Sequence, residues 1–192
     1  MHHVAILAVE GCYVSYAAAF ADVLQAANAH LRQQQGPSGR SFKWSFVLVD
    51  GGAVAGSNGL VLATQPVYAH TFPEVVVVRA IHYPGFKPFV RFLAGQARIY
   101  DWLREQWQHG AWIGANCTGT FLLAQSGLLD ERAATTTWWL DRQFRSRYPL
   151  VDLPCKSVLT ETDRFICAGA PATFLLQAIR ILKRFLGPEL AA

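Results

Sequence analysis

The chain has 192 residues, of which 52% are apolar and 16% are charged, and its formal net charge is +4. This composition excludes a disordered chain and predicts one domain with a well-buried core. No apolar run reaches the roughly 18 residues that a membrane span needs. The basic residues are scattered along the chain, so they do not predict a nucleic-acid-binding surface.

Periodic patterns predict strands that alternate with helices. In the first half, the predicted elements are a strand at 3–9, a helix at 17–31, a strand at 42–49, a turn at 50–52, a hairpin within 54–62 and a buried strand of four valines at 75–78. In the second half, they are helices at 97–108, 118–125 and 138–148, strands at 112–115, 157–162 and 165–168, and a last helix from about Pro171 to Gly187. The apolar stripe predicted for that helix comprises Phe174, Leu175, Ala178, Ile179, Leu182 and Leu186. This order favours an α/β sandwich around a mostly parallel sheet.

The four cysteines, Cys12, Cys117, Cys155 and Cys167, show no CxxC spacing. This pattern argues against a zinc knuckle and a disulfide scaffold, and we expect neither a metal nor a cofactor. The first residues lack the basic and long apolar regions of a signal peptide, so we expect a cytoplasmic location. All of these cysteines except Cys117 are predicted to be small buried residues.

Cys117 lies between the apolar run 111–113 and the helical pattern at 121–124. A nucleophile on a tight strand-to-helix turn needs small residues two positions before and after it, and Ala115 and Gly119 meet that need. Backbone N–H groups at the start of the following helix predict a lowered thiol pKa and an anion pocket. A small buried residue without chemistry is the alternative for Cys117.

The segment 115–130, followed by Ala134-Thr135-Thr136, resembles the DJ-1/PfpI superfamily. More closely, it resembles the amidotransferase-like N-terminal domain of AraC-type transcription regulators, whose members read C-T-G-x-F-x-L-A-x-x-G-L-L-D-G-R-x-A-T-T-H-W here. Weaker matches are Asp22-Val23-Leu24, Ala26-Ala27-Asn28, Tyr148-Pro149 and residues 187–191. The resemblance implies a flavodoxin-like three-layer sandwich.

For the whole protein, the resemblance implies a ligand-sensing domain over 1–187 and, at 188–192, the start of a linker to a DNA-binding domain absent from this chain. The implied partners are a small-molecule effector (an amino acid, an amine or a related metabolite), a second copy in a homodimer, and DNA through the missing helix-turn-helix domain alone. No membrane partner is implied.

Two departures from catalytic relatives bear on activity. By register, Tyr16 stands where those relatives carry an acidic residue, and Thr137 stands where they often carry a histidine. Since a thiolate needs a base or a counter-charge, we predict a domain that is not an enzyme. His70, His82 and His109 remain as possible partners of the thiol. The predicted ligand-binding residues are Tyr16, Asn116, Cys117, Thr118, Gly119, Thr137 and Trp138.

Three functional interpretations remain open at this point. The first is a small-molecule sensor in which Trp138 and its neighbour Trp139 contact the ligand, although packing is the alternative for both rings. The second is a cysteine-dependent hydrolase, hydratase or glyoxalase-like enzyme of the same superfamily. The third is a structural dimerisation module with a vestigial pocket. Arg142, Arg145 and Arg147 are interpreted as a solvated helix face.

Overall fold

A computed structural model describes residues 1–36, 39–67 and 72–187. Its strands are β1 (His2–Leu7), β2 (Phe42–Leu48), β3 (Asp50–Ala55), β4 (Val61–Pro66), β5 (Val75–Val78), β6 (Trp112–Asn116), β7 (Leu159–Thr162) and β8 (Phe165–Ala168). Its helices are α1 (Val14–Gln35), α2 (Phe86–Ala94), α3 (Ala97–Gln108), α4 (Gly119–Gln125), α5 (Asp141–Arg147) and α6 (Phe174–Leu186). Short 3-10 turns at Trp138–Leu140 and Pro171–Thr173 precede α5 and α6.

The strands form one eight-stranded sheet in the order β3-β4-β2-β1-β5-β6-β8-β7. The inner pairs are parallel, and only the edge pairs β3/β4 and β7/β8 are antiparallel. The valines of β5 are at most 1% exposed, as expected for a central strand covered on both faces. Since β1, β5, β6 and β8 run the same way, their carboxyl ends meet at one edge.

Helices cover both faces of the sheet, which makes a three-layer sandwich. On one face, α1 and α6 pack Phe20, Leu24 and Ile181 against the valines Val75 and Val77. The other face carries the remaining helices, whose buried residues include Phe89, Leu103, Phe121 and Phe144. The flavodoxin-like fold expected from the resemblance is therefore confirmed. No helix in the described ranges has both the length and the apolar character that a membrane crossing requires.

Most predicted elements are present, and the differences have local causes. The predicted turn at 50–52 instead begins β3, because these residues pair with β4, and Gly51 and Gly52 tolerate the positive φ angles of 68° and 104° found there. A Cβ on Gly51 would lie 2.6 Å from the backbone nitrogen of Pro66, so the missing side chain lets β4 pair closely. The predicted helix 138–148 is divided into a 3-10 turn and α5.

Two further corrections concern exposure. Leu175 and Ile179, predicted in the buried stripe of α6, are 47% and 38% exposed, whereas Gln177 is fully buried. Gln177 is tolerated on the inward face because its amide donates hydrogen bonds to the Ala115 and Ile166 carbonyls of the sheet. Cys155, predicted to be buried, is exposed. The predicted linker at 188–192 lies outside the described residues.

Candidate ligand site at the cysteine turn

The backbone of Cys117 has the strained geometry predicted for a strand-to-helix turn. Its φ of 53° lies in the left-handed region, between the end of β6 and the start of α4. The Cys117 amide donates to the Ala168 carbonyl at 2.8 Å, and its carbonyl accepts from the Thr136 hydroxyl at 2.9 Å. A non-glycine residue in this region costs of order 1–3 kcal/mol, so the surrounding structure must hold it in place.

The close backbone approach predicted around the turn is confirmed at Gly119. Ala115 is fully buried in β6. A Cβ on Gly119 would lie 2.7 Å from the carbonyl oxygen of Arg79 and 2.9 Å from that of Val78. The start of α4 therefore lies against the backbone that continues from β5, and no larger residue fits at position 119.

The thiol of Cys117 is 1% exposed, and burial raises its pKa. Interactions with the Thr118 backbone and with the Thr137 and Thr118 hydroxyls lower that pKa, but by less than burial raises it. The predicted lowering of the thiol pKa is therefore wrong. Loss of hydration outweighs the N-terminus of α4, which spans only seven residues.

We expect Cys117 to react slowly with iodoacetamide at neutral pH. Because its pKa is raised, the thiol is protonated there, and the thiolate forms only at pH above the ordinary thiol range. Exposed Cys155 provides an internal control in the same folded sample. Peptide mass spectrometry should find Cys117 labelled about tenfold or more slowly than Cys155, with the gap closing as pH rises. Equal rates at neutral pH would contradict this assignment.

Two buried polar atoms beside the turn have no hydrogen-bond partner among the described residues. They are Oδ1 of Asn116 and Oγ1 of Thr137, and both side chains are fully buried. The Asn116 amide nitrogen donates to the Pro171 carbonyl at 3.3 Å, which leaves its oxygen unsatisfied. A side-chain hydrogen bond from Thr137 lowers the Cys117 pKa, so the thiol is within reach of Oγ1, although no hydrogen bond of normal geometry joins the two atoms. Each unsatisfied atom costs about 1–3 kcal/mol.

The Thr118 hydroxyl is fully engaged by the protein. It accepts from the Ile81 amide at 2.7 Å and donates to the Ile81 carbonyl at 2.6 Å. These bonds join the start of α4 to the segment after β5. A ligand at the turn would therefore meet the Thr118 backbone rather than its hydroxyl.

Two tyrosines lie at the start of α1, Tyr13 at its N-cap and Tyr16 in its first turn. Tyr16 is half-buried, with its ring centre 5.4 Å from that of Phe174 and 5.6 Å from that of Tyr13. Burial raises the pKa of Tyr13, and the charges of Cys117 and Tyr16 add to the effect. Tyr13 therefore lies near the thiol.

The two tryptophans have little core packing. Trp138 is 79% exposed and Trp139 is 42% exposed, and their rings meet edge to face at 5.6 Å. Trp138 lines a cavity of about 390 Å³ together with Thr135, Thr136, Asp141, Arg145, Leu153, Pro154, Cys155, Lys156 and Ser157. Thr136 connects this cavity to the turn, because its hydroxyl donates to the Cys117 carbonyl.

Neither a histidine base nor a metal centre is apparent in the ranges that the structure covers. His82 is exposed, and exposed His109 stacks on Phe72 with ring centres 3.7 Å apart. His70 lies outside the described residues. No group of three histidine, cysteine or acidic side chains within those ranges could hold a metal ion.

Sequence reasoning missed a buried arginine next to this site. Arg79 directly follows β5, is 1% exposed, and donates from Nη2 to Oε1 of Gln177 at 2.6 Å. A charged residue at the carboxyl end of four buried valines was the available signal. Its neighbour Gln177 fell within an apolar stripe and carried no such signal.

Comparison with known proteins agrees with the geometry. The DJ-1/PfpI family model matches residues 5–183, and the chain belongs to this family. It is similar to the HTH-type transcriptional regulator CdhR of Pseudomonas aeruginosa, with 29% identity over 154 residues. That match covers 78% of this chain but only 43% of the relative's length.

Two crystal structures share the fold at low sequence identity. An AraC family transcriptional regulator from Pseudomonas putida aligns with a TM-score of 0.73 and 19% identity, over 100% of this chain and 96% of that one. Drosophila melanogaster DJ-1beta aligns with a TM-score of 0.76 and 18% identity, over 99% and 93% of the two chains. The resemblance that the cysteine segment suggested is confirmed.

Proposed function

We propose that this domain senses a small cytoplasmic molecule and regulates transcription through a helix-turn-helix domain outside these residues. The observation that carries the proposal is the pair of unsatisfied buried atoms, Asn116 Oδ1 and Thr137 Oγ1, beside Cys117. Buried polar atoms are normally hydrogen-bonded, so a polar ligand that pairs with them would recover the free energy that they cost. Regulators among the relatives support the regulatory role.

The chemistry of the thiol supports binding rather than catalysis. Burial raises the Cys117 pKa, and Tyr16 and Thr137 occupy the positions of the usual acidic residue and histidine. A protonated thiol without a base is a weak nucleophile. In this proposal, Cys117 and the backbone of Gly119 contribute contacts to an amino acid, an amine or a related metabolite.

Regulation requires that the ligand bind one arrangement of the protein better than another. Hydrogen bonds run from the turn to Ala168, Thr136 and Ile81, and from Asn116 to Pro171. Occupancy of the site would therefore act on the start of α6 and on the segment before α5. A homodimer in which these elements shift would change how the attached DNA-binding domains meet a promoter.

A thermal-shift screen against amino acids, amines and small carbonyl compounds tests the proposal. A ligand at a hundredfold excess over its Kd adds about 2.7 kcal/mol of stability, which raises Tm by roughly 5–10 °C in a domain of this size. Cys117→Ala and Thr137→Val should weaken the shift. The exposed variant Leu150→Ala is the matched control and should keep it.

Other results would reject the sensor. If no class of compound raised the Tm, a structural module with a vestigial pocket would be favoured. Turnover of a stabilising compound, abolished in Cys117→Ser, would favour the hydrolase, hydratase or glyoxalase-like enzyme, for which the retained positive φ at Cys117 is the supporting feature.

A further inference from the structure

Arg79 is a fully enclosed cation without a counter-charge from the described part of the chain. Its guanidinium carbon lies 4.5 Å from the centre of the Phe20 ring, and its Nη2 donates to Gln177. Its Nε and Nη1 atoms have no hydrogen-bond partner there, and no carboxylate from these ranges forms an ion pair with it. Within the described residues, the Phe20 ring and the neutral amide of Gln177 are the contacts that stabilise its charge.

The charge on Arg79 persists at neutral pH. Burial lowers the pKa of Arg79 to about 9, which still leaves the guanidinium protonated. The charge of Cys12 would raise the Arg79 pKa. Burial, however, raises the pKa of the Cys12 thiol, so Cys12 is neutral and provides no counter-charge. An uncompensated buried charge is strongly destabilising, because it has lost hydration and gained no partner.

The sheet register brings this cation beside Asn116. Val77 pairs with Gly114 and Val78 with Ala115, and if this register continues past the end of β5, it places Arg79 beside Asn116 on the same face. Gly114 leaves room for Gln177, whose amide nitrogen would lie 3.0 Å from a Cβ there. Three buried polar side chains therefore converge, and they offer two unpaired donors and one unpaired acceptor.

The cluster of Arg79, Asn116 and Gln177 lies at the edge of the sheet where α1 and α6 begin. Since α1 follows β1 and α6 follows β8, both helices begin at the carboxyl edge of the sheet, where Tyr16 and Phe174 are in ring contact. Neither helix has a side-chain hydrogen bond at its N-cap.

We infer that Arg79 anchors the carboxylate of a small ligand, with Asn116 Oδ1 accepting a hydrogen bond from an N–H group of the same molecule. This inference rests on the proposed sensing function and narrows its ligand to carboxylates. A carboxylate supplies the missing negative charge and accepts a charge-assisted hydrogen bond from the unpaired Nη1 or Nε atom of the guanidinium. Because Arg79 is 1% exposed, ligand access requires the packing around it to open.

Carboxylates and the corresponding amides, which lack the negative charge, provide the test. Acetate, propionate and glycine are compared with acetamide, propionamide and glycinamide by thermal shift on the wild-type domain and on Arg79→Met. We expect the carboxylates to raise the wild-type Tm and the amides to leave it unchanged. In Arg79→Met, carboxylate affinity should fall about tenfold or more, because a charge-assisted hydrogen bond is lost.

Two further variants keep the test decisive. Arg79→Lys retains the charge but not the fork of N–H groups, so it should bind the same carboxylates more weakly than the wild type, and it replaces Arg79→Met if that variant does not fold. Arg142→Met removes an exposed arginine from α5 and should leave the response intact. If the loss of any arginine weakened carboxylate binding, Arg79→Met and Arg142→Met would both show it.

The inference and the sensing proposal fail in different ways. Equal stabilisation by carboxylates and amides, no stabilisation by any carboxylate, or carboxylate binding unchanged in Arg79→Met and Arg79→Lys would overturn the role of Arg79. A neutral or cationic compound from the broader screen that depends on Cys117 and Thr137 but not on Arg79 would keep the sensor and reject the carboxylate anchor.

Discussion

Replacing Phe121 by alanine should lower the free energy of unfolding by about 3–5 kcal/mol. Phe121 is fully buried in α4, four residues after Cys117. Its ring meets those of Phe89 at 5.3 Å and Phe144 at 4.9 Å in edge-to-face geometry. It therefore joins α4 to α2 and α5, and its removal leaves a cavity that these helices cannot close without losing their contacts with the sheet.

The loss of stability in Phe121→Ala includes more than the lost burial of apolar surface. Edge-to-face aromatic pairs add about 0.5–1.5 kcal/mol beyond burial, and Phe121 also contacts Tyr148 with ring centres 5.9 Å apart. Phe86→Ala, on the 39% exposed ring that begins α2, is the matched control and should change stability by about 0.5 kcal/mol or less. Urea denaturation followed by fluorescence measures both variants. Similar losses in the two would show that the cluster around Phe121 relaxes freely.

Replacing Gly119 by alanine should lower the free energy of unfolding by about 2–3 kcal/mol. The added Cβ would lie 2.7 Å from the Arg79 carbonyl oxygen and 2.9 Å from that of Val78. Both oxygens belong to backbone at the carboxyl end of β5, so neither can move aside as a flexible side chain would. To remove this clash, α4 must shift away from the sheet, and that shift breaks the hydrogen bonds between Thr118 and Ile81.

Gly95→Ala is the matched control for this prediction. Gly95 ends α2 with φ of −83°, and the nearest atom to an added Cβ is the Phe92 carbonyl oxygen at 3.5 Å. This conformation suits alanine, so the variant should be neutral or up to about 1 kcal/mol more stable. Urea denaturation compares the two alanine variants directly. If Gly119→Ala matched Gly95→Ala in stability, the close approach of α4 to β5 would be wrong.

The candidate site could be predicted in part from local sequence. The small residues Ala115 and Gly119 around Cys117 predict a tight strand-to-helix turn, because steric exclusion acts between near neighbours in the chain. The pKa of Cys117 could not be predicted in the same way, since it depends on how completely distant segments exclude water. Arg79 and Gln177 are 98 residues apart, and sequence order gives no sign of their hydrogen bond.

By itself, the sequence determined the order of strands and helices apart from α2, the double burial of the four valines and the turn at Cys117, because these follow from apolar periodicity and from backbone sterics. Tertiary structure alone decided which side of α6 faces the sheet, which cysteines are exposed, and that Asn116, Thr137 and Arg79 are enclosed with unpaired polar atoms. The physical reason is that periodicity is a property of adjacent residues, whereas desolvation and hydrogen-bond satisfaction depend on the packing of distant segments.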